Sequence, residues 1–312
     1  SFLTFYSYFR EYKRVNLSCC IIKYLNLYSR ILVLPGFILA IVNLFINVGM
    51  HTEYVYGLRA FHYIFGRVGN LNIACIAILI IMTLYLQELT GKKRAIQCGY
   101  IFMTICLMVS TLRSRAFIYA LVYIAGYFYF VKCKRIKVKL RYVFIIGFVT
   151  LYLAMPKIEY YFMSSTKARS VLLRYGIKTA LNYAPLGAGF GSYGTFSAKV
   201  YWSQLYNEYG FSNYYGLSQE WGAFLTDNYW PAIMGEFGFF GAGIMLLFVG
   251  RIYLKINKKT TKQPITRFAA LFGIVCLSIS SLVSSSFFKA VGLMTIIAMA
   301  ATYQSKLINN ID

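Results

Sequence analysis

Acidic side chains are scarce in this chain, nine Asp and Glu against 32 Lys and Arg, so the position of each carboxylate carries weight. Glu208, Glu220 and Asp227 fall in the second half of a polar segment at 157–229, and Glu236 follows inside an apolar run. A carboxylate held beside a substrate hydroxyl serves as a general base. In "TDNYWP", Asp227 or Asn228 stands near a helix start with Pro231 in the first turn, a pattern that also suits plain capping. Glu236 lies about a turn and a half into its apolar run, where an ionisable group faces a bundle interior and pairs. Arg113 or Arg115 is the expected partner, or Glu236 itself reacts. The arginines suit an anionic substrate, because the guanidinium fork meets phosphate oxygens two at a time. Arg113 and Arg115 sit at the end of an apolar run, Arg59 and Arg67 in the segment 51–70, and Arg169 and Arg174 in "RSVLLRYGIKTALNY" with Lys178 a turn beyond. Snorkelling at a membrane interface and a solvated helix face are the alternative duties for these cations.

Between the arginines and Asp227 runs "APLGAGFGSYGTF", in which residues 189–194 fit G-x-G-x-x-G. That pattern marks a dinucleotide loop only after a strand and at the start of a helix. Here the preceding stretch has helical spacing, so the dinucleotide reading fails on context. Two readings stay open for Gly187, Gly189 and Gly191: an ordinary turn, or a shaped loop whose backbone comes close to a ligand. Tyr and Trp crowd the same segment, from Tyr193 to Trp230. Anchoring at a membrane interface and stacking on sugar rings are the two duties expected of them.

The elements that must position these groups are membrane helices. The chain is 59% hydrophobic and only 13% charged, about half the charged share of a soluble domain. Apolar runs at 31–50, 71–87, 96–112, 116–131, 142–156, 230–250, 268–285 and 290–304 predict about eight spans. Backbone groups in lipid must bond internally, so the spans are helices. The expected fold is an all-α, polytopic helix bundle: N-terminal spans in 1–156, a long external loop with short amphipathic helices at 157–229, and C-terminal spans in 230–312. The net charge of +23 is spread in knots between apolar runs rather than gathered in a patch, which fits the positive-inside rule and argues against nucleic-acid binding. With alternating spans, "GKKR", "KCKRIKVKLR" and "RIYLKINKKTTKQPITR" fall on one side, the cytoplasmic side, and 157–229 on the other. The seven cysteines form no C-x-x-C, so neither a zinc site nor another cofactor is expected. The opening "SFLTFYSYFREYKR" reads as the end of an earlier span and a basic loop, suggesting the C-terminal portion of something longer.

Four stretches in this order resemble the O-antigen polymerase and O-antigen ligase superfamily: "FGRVGNLNIAC", "STLRSRAFIYAL", "RSVLLRYGIKTALNYAPLGAGFGSYGTF" and "LTDNYWPAIMGEFGFFG". The resemblance covers most of 51–250. It implies a GT-C-like membrane glycosyltransferase at the outer face of the cytoplasmic membrane. The implied donor is a polyprenyl-diphosphate-linked glycan, joined into O-antigen, capsule or exopolysaccharide beside a flippase and a chain-length regulator. It also implies diphosphate binding by Arg67, Arg113, Arg115, Arg169 and Arg174, and catalytic duty for Asp227, Glu236 or Glu220. The ligase pattern has His-Asn where this chain has Asp227-Asn228, and the only histidines are His51 and His62. That departure favours a polymerase over a ligase. A flippase or transporter is the alternative of another class, and the halves show none of the internal repeat common in transporters.

Overall fold

The computed structural model describes residues 15–55, 57–133, 155, 166–259, 263–282, 284 and 290–304. It is mostly helical, with α1 Val15–Phe45, α2 Val68–Tyr85, α3 Gly91–Val109, α4 Ser114–Gly126, α5 Ala168–Asn182, α6 Phe196–Val200, α7 Gln204–Glu208, α8 Tyr229–Lys259, α9 Pro264–Ser281 and α10 Ala290–Gln304. A π-helical turn, Tyr127–Lys132, extends α4. Among the described residues, five helical stretches are long and apolar enough to cross a membrane: Ile21–Phe45, Val68–Glu88, Ser114–Lys132, Tyr229–Ile256 and Pro264–Ser281. By helix length and composition the chain is a membrane protein, with five clear spans among the described residues. The run at 96–112 lies in α3, whose first turn carries Lys92, Lys93 and Arg94. The run at 290–304 is α10, only 15 residues, or about 22 Å at 1.5 Å per residue against a hydrocarbon core of about 30 Å. The run at 142–156 lies, apart from Met155, outside the described residues.

Contacts divide the chain into two units. The first comprises residues 1–139, 255–277 and 290–312. Its centre is α2, buried almost throughout from Leu71 to Leu84. Against α2 pack α1, α3 and α10, and Thr295 of α10 donates to the Ile73 carbonyl at 3.4 Å. Phe268 of α9 covers Gly126 and packs tilted against Tyr123 of α4 and edge-on against Tyr127 of its π-helical turn. The tight turn at 110–113, where Leu112 takes φ 55°, sends α4 back along α3. Tyr127 therefore comes beside Cys98, and Lys132 shares an end of the unit with Lys92–Arg94. Lys92, Lys93, Arg94 and Lys132 thus share one end of this unit, and "KCKRIKVKLR" beyond Cys133 lies outside the described residues.

The opposite end departs from the all-α expectation. The first helix does not continue to residue 50. It stops at Phe45, where Asn47 accepts from the Gly49 amide at 2.9 Å and Gly49 takes φ 75°. A hairpin follows, β1 His51–Val55 antiparallel to β2 Leu58–Phe61, with an irregularity between His51 and Tyr54. The Phe61 amide donates to the Ser110 carbonyl at 3.1 Å, and Arg59 Nη1 to the Asn43 carbonyl at 2.9 Å. These bonds fix the hairpin to the ends of α1 and α3. At its other end, α1 begins well before residue 31, carrying Lys23 and Arg30 within the helix.

The second unit comprises 140–254 and 278–289. Its core is built from the aromatics of the long loop: Tyr193, Tyr206, Tyr209 and Phe211 bury against Val171 and Leu172 of α5 and against Leu205, Leu217 and Leu225. This corrects the expectation that the loop's aromatics anchor at an interface or stack on sugars. Tyr201, Tyr215 and Trp221 do stay exposed, but Tyr193, Tyr206, Tyr209 and Phe211 hold the loop together. Each phenol is placed: Tyr193 donates to the Leu172 carbonyl at 2.7 Å, and Tyr206 accepts from the Gly194 amide at 2.8 Å.

Candidate functional site: a glycine loop locked on a broken helix

The eighth helix is interrupted at Gly238, whose φ 64° and ψ −169° leave the helical region. A break inside an apolar helix frees carbonyls that must find other donors. The glycine loop supplies them. The Ala188 amide donates to the Gly235 carbonyl at 2.9 Å and the Gly189 amide to the Glu236 carbonyl at 3.0 Å. The two backbones come too close for side chains. A Cβ on Gly187 would lie 2.4 Å from the Gly238 nitrogen, and one on Gly238 would lie 2.3 Å from the Pro185 carbonyl oxygen. Gly187 and Gly238 therefore make a backbone-to-backbone junction, while a Cβ at Gly189 would meet nothing within 4 Å. The close approach expected of a shaped loop is present, and its partner is the helix.

Glu236 completes the junction. Its side chain is buried, 1% exposed, and Oε1 accepts from the Gly191 amide at 2.9 Å and the Thr195 hydroxyl at 2.5 Å. The Ser192 and Tyr193 amides also face it. Successive amides pointing into one concavity form a nest of donors, and the group seated in it is the chain's own Glu236 carboxyl. Within its own unit Glu236 is held by hydrogen bonds from the loop, and its expected pairing with Arg113 or Arg115 would have to join this unit to the other. Thr195 has a second duty as the cap of α6, accepting from the Ala198 amide at 3.4 Å.

Arg113 instead meets Glu53 of the hairpin at 2.5 Å, a partner the sequence reading did not single out. Arg113 precedes α4 in extended conformation, while Arg115 lies in its first turn. The Arg115 guanidinium occupies the space over Gly69 that a side chain there would fill. Arg67 is exposed at the cap position of α2, two residues before Gly69. Arg67 and Arg115 therefore both attend the start of α2, with Arg113 one residue from Arg115.

In the second unit, Arg169 and Asp227 stand 3.9 Å apart, with side chains 21% and 30% exposed. Asn228, 3% exposed, ties this pair to α5 by donating to the Arg169 carbonyl at 3.2 Å. Its Oδ1 is buried with no hydrogen-bond partner, so Asn228 serves the neighbouring helix rather than capping its own. Arg174 donates to the Tyr214 hydroxyl at 3.4 Å and lies over the Tyr175 ring. Lys178 sits against the rings of Tyr175 and Tyr209. Glu208 and Glu220 are exposed. The arrangement offers, on one unit, a partly open carboxylate beside a guanidinium on a rigid frame. The first unit carries three arginines on one turn and one helix start.

Thr195, Gly238 and Glu53 were not singled out from sequence, and Tyr214 was read only as one of the loop's aromatics. A glycine inside an otherwise apolar helical run, as in "GEFGFFG", was the available signal for the break. Compared with known proteins, the chain matches no family model, no curated protein and no solved structure.

Proposed function

We propose that the protein is a membrane polysaccharide polymerase joining polyprenyl-diphosphate-linked repeat units at the outer face of the cytoplasmic membrane. The observation that carries this reading is the Arg169–Asp227 pair, held 3.9 Å apart and partly open on a folded loop that is mounted on a membrane helix. Glycan transfer from a lipid diphosphate needs a cation where charge gathers on the leaving oxygens, a base at the attacking hydroxyl, and apolar surface for the lipid. In the reaction, an acceptor sugar hydroxyl attacks the donor's anomeric carbon. The bond from that carbon to the diphosphate oxygen breaks, Asp227 takes the hydroxyl proton, and the lipid diphosphate leaves with the bonding electrons. Arg169 holds the diphosphate, with Arg174, Arg67, Arg113 and Arg115 as the further cations of this reading. Glu220, exposed, is the reserve base. Glu236 holds the loop and is assigned no proton transfer.

The test is polymer formation in vitro from purified lipid-linked repeat units. Asp227→Asn keeps the shape of the side chain and removes the base, so it should slow the reaction about 10²–10⁴-fold. Arg169→Lys keeps the charge and loses the planar fork, and most activity should go with it. A near-normal rate for Asp227→Asn would remove Asp227 as base, and near-normal rates for both variants would end the polymerase assignment to this pair.

A further inference from the structure

At the basic end of the first unit, α1 carries Lys23, Asn26, Leu27 and Arg30 on one face, at the i, i+3, i+4, i+7 spacing that stacks side chains along a helix. With Tyr24 and Tyr85 of α2 these residues line a groove. Its floor is a polar network. Arg30 Nε donates to Gln97 Oε1 at 3.0 Å, and Gln97 Nε2 donates in turn to Asn26 Oδ1 at 2.7 Å and to the Met82 carbonyl at 3.1 Å. Arg30 also lies over the Tyr100 ring, 5.1 Å from its centre. Every one of these partners is neutral. No carboxylate pairs with Arg30 or Lys23 among the described residues, so within these the groove's two positive charges face no protein anion.

Charged groups within spanning helices are normally paired. Lys23 and Arg30 lie in the spanning stretch Ile21–Phe45, so the groove is a place for an anion that the described residues do not supply. The same helix face says what kind. Leu27 lies between the two cations, and beyond Arg30 the face continues with Leu34, Ile38 and Ile41, all four exposed, close to the angular sector that Lys23 and Arg30 occupy at 100° per residue. The occupant must therefore present an anionic head to the cations and apolar chain along the helix. Basic pockets among membrane helices hold anionic headgroups in this way. We propose that the groove between Lys23 and Arg30 is a binding site for an anionic phospholipid, its phosphate between the two cations and its acyl chains along Leu34, Ile38 and Ile41. The site rests on the membrane character of the chain and is independent of the polymerase reading.

The test uses the full chain purified in detergent, exposed to defined mixtures of phosphatidylglycerol and phosphatidylcholine, with retained lipids counted by native mass spectrometry. The wild type should retain phosphatidylglycerol in preference to phosphatidylcholine. Lys23 is exposed and outside the polar network, so Lys23→Gln leaves the fold alone. It should weaken phosphatidylglycerol retention about fivefold, the contribution of one basic residue near a membrane surface. Lys92→Gln/Lys93→Gln removes two exposed charges at the same end of the unit, outside the groove, and should leave the groove's lipid in place. Unchanged retention in Lys23→Gln overturns the site. An equal loss in the Lys92/Lys93 variant also overturns it, since the attraction is then diffuse. Millimolar inorganic phosphate should not displace the lipid, because the acyl chains carry part of the binding. Displacement by phosphate would make the groove a site for a soluble anion and overturn the lipid assignment.

Discussion

For a single side chain, Glu236 carries the sharpest consequence. Glu236→Ala strips the acceptor from the Gly191 amide and the Thr195 hydroxyl together, and an unmet buried donor costs about 1–3 kcal/mol. Glu236→Gln keeps one acceptor oxygen and introduces two donors into a concavity already lined with donors. Both variants should lower the melting temperature in detergent, Ala more than Gln, and increase hydrogen exchange at 188–195. An unaltered exchange rate in Glu236→Ala would mean that the loop holds without its carboxylate. Two phenols in the same unit give a pH signature. Burial pushes Tyr193 and Tyr206 above the ordinary tyrosine range, so the folded unit keeps them neutral where the unfolded chain ionises. Their contribution is intact below pH about 10 and declines as pH rises past it. Tyr193→Phe should shift the alkaline unfolding midpoint of the loop core upward, read by near-ultraviolet circular dichroism, although its neutral-pH stability falls with the bond to Leu172.

Among the elements, the loop and the broken helix act together, and the glycines rank themselves. Gly189 takes φ 96°, yet a Cβ there meets nothing within 4 Å, so Gly189→Ala carries backbone strain alone. Gly187→Ala adds a collision with the backbone of residues 236–238 that cannot swing aside, and should be clearly the more damaging in thermal stability and in loop protection. Equal effects would mean that the junction yields at little cost. Much of this layout was legible in the sequence. The apolar runs at 71–87, 116–131 and 268–285 fall on α2, on α4 with its π-helical turn, and on α9, because lipid and buried neighbours demand the same composition. The same ambiguity hid the rest. Tyr193, Tyr206 and Tyr209 read as interfacial aromatics, since nothing local separates a ring that faces lipid from one that builds a small core. Hairpin 51–61 is too short to show a period. The partner of Glu236 lies 45 residues away in a turn whose amides carry no sequence mark.

At the scale of the whole molecule, the polymerase reading requires that the hairpin end of the first unit and the loop of the second face the same side of the membrane. Otherwise Arg113 and Arg115 cannot attend the diphosphate that Arg169 holds. Each unit can report its side separately. In a background with the native cysteines replaced, Tyr54→Cys places a thiol on the exposed face of the hairpin and Tyr201→Cys one on the loop, where the native side chains are 63% and 84% exposed. Tyr206 would be a poor choice, since it is fully buried and its replacement would open the core. Lys93→Cys marks the basic end. An impermeant maleimide added to intact cells should label Tyr54→Cys and Tyr201→Cys, and should reach Lys93→Cys only after permeabilisation, because basic ends stay cytoplasmic. Labelling of Lys93→Cys alone would reverse the orientation and place the chemistry where the external substrate is absent. Labelling of Tyr201→Cys without Tyr54→Cys would divide the arginines between the two faces. Diphosphate binding would then fall to Arg169 and Arg174, and Arg113 would be left holding Glu53 and the hairpin in place.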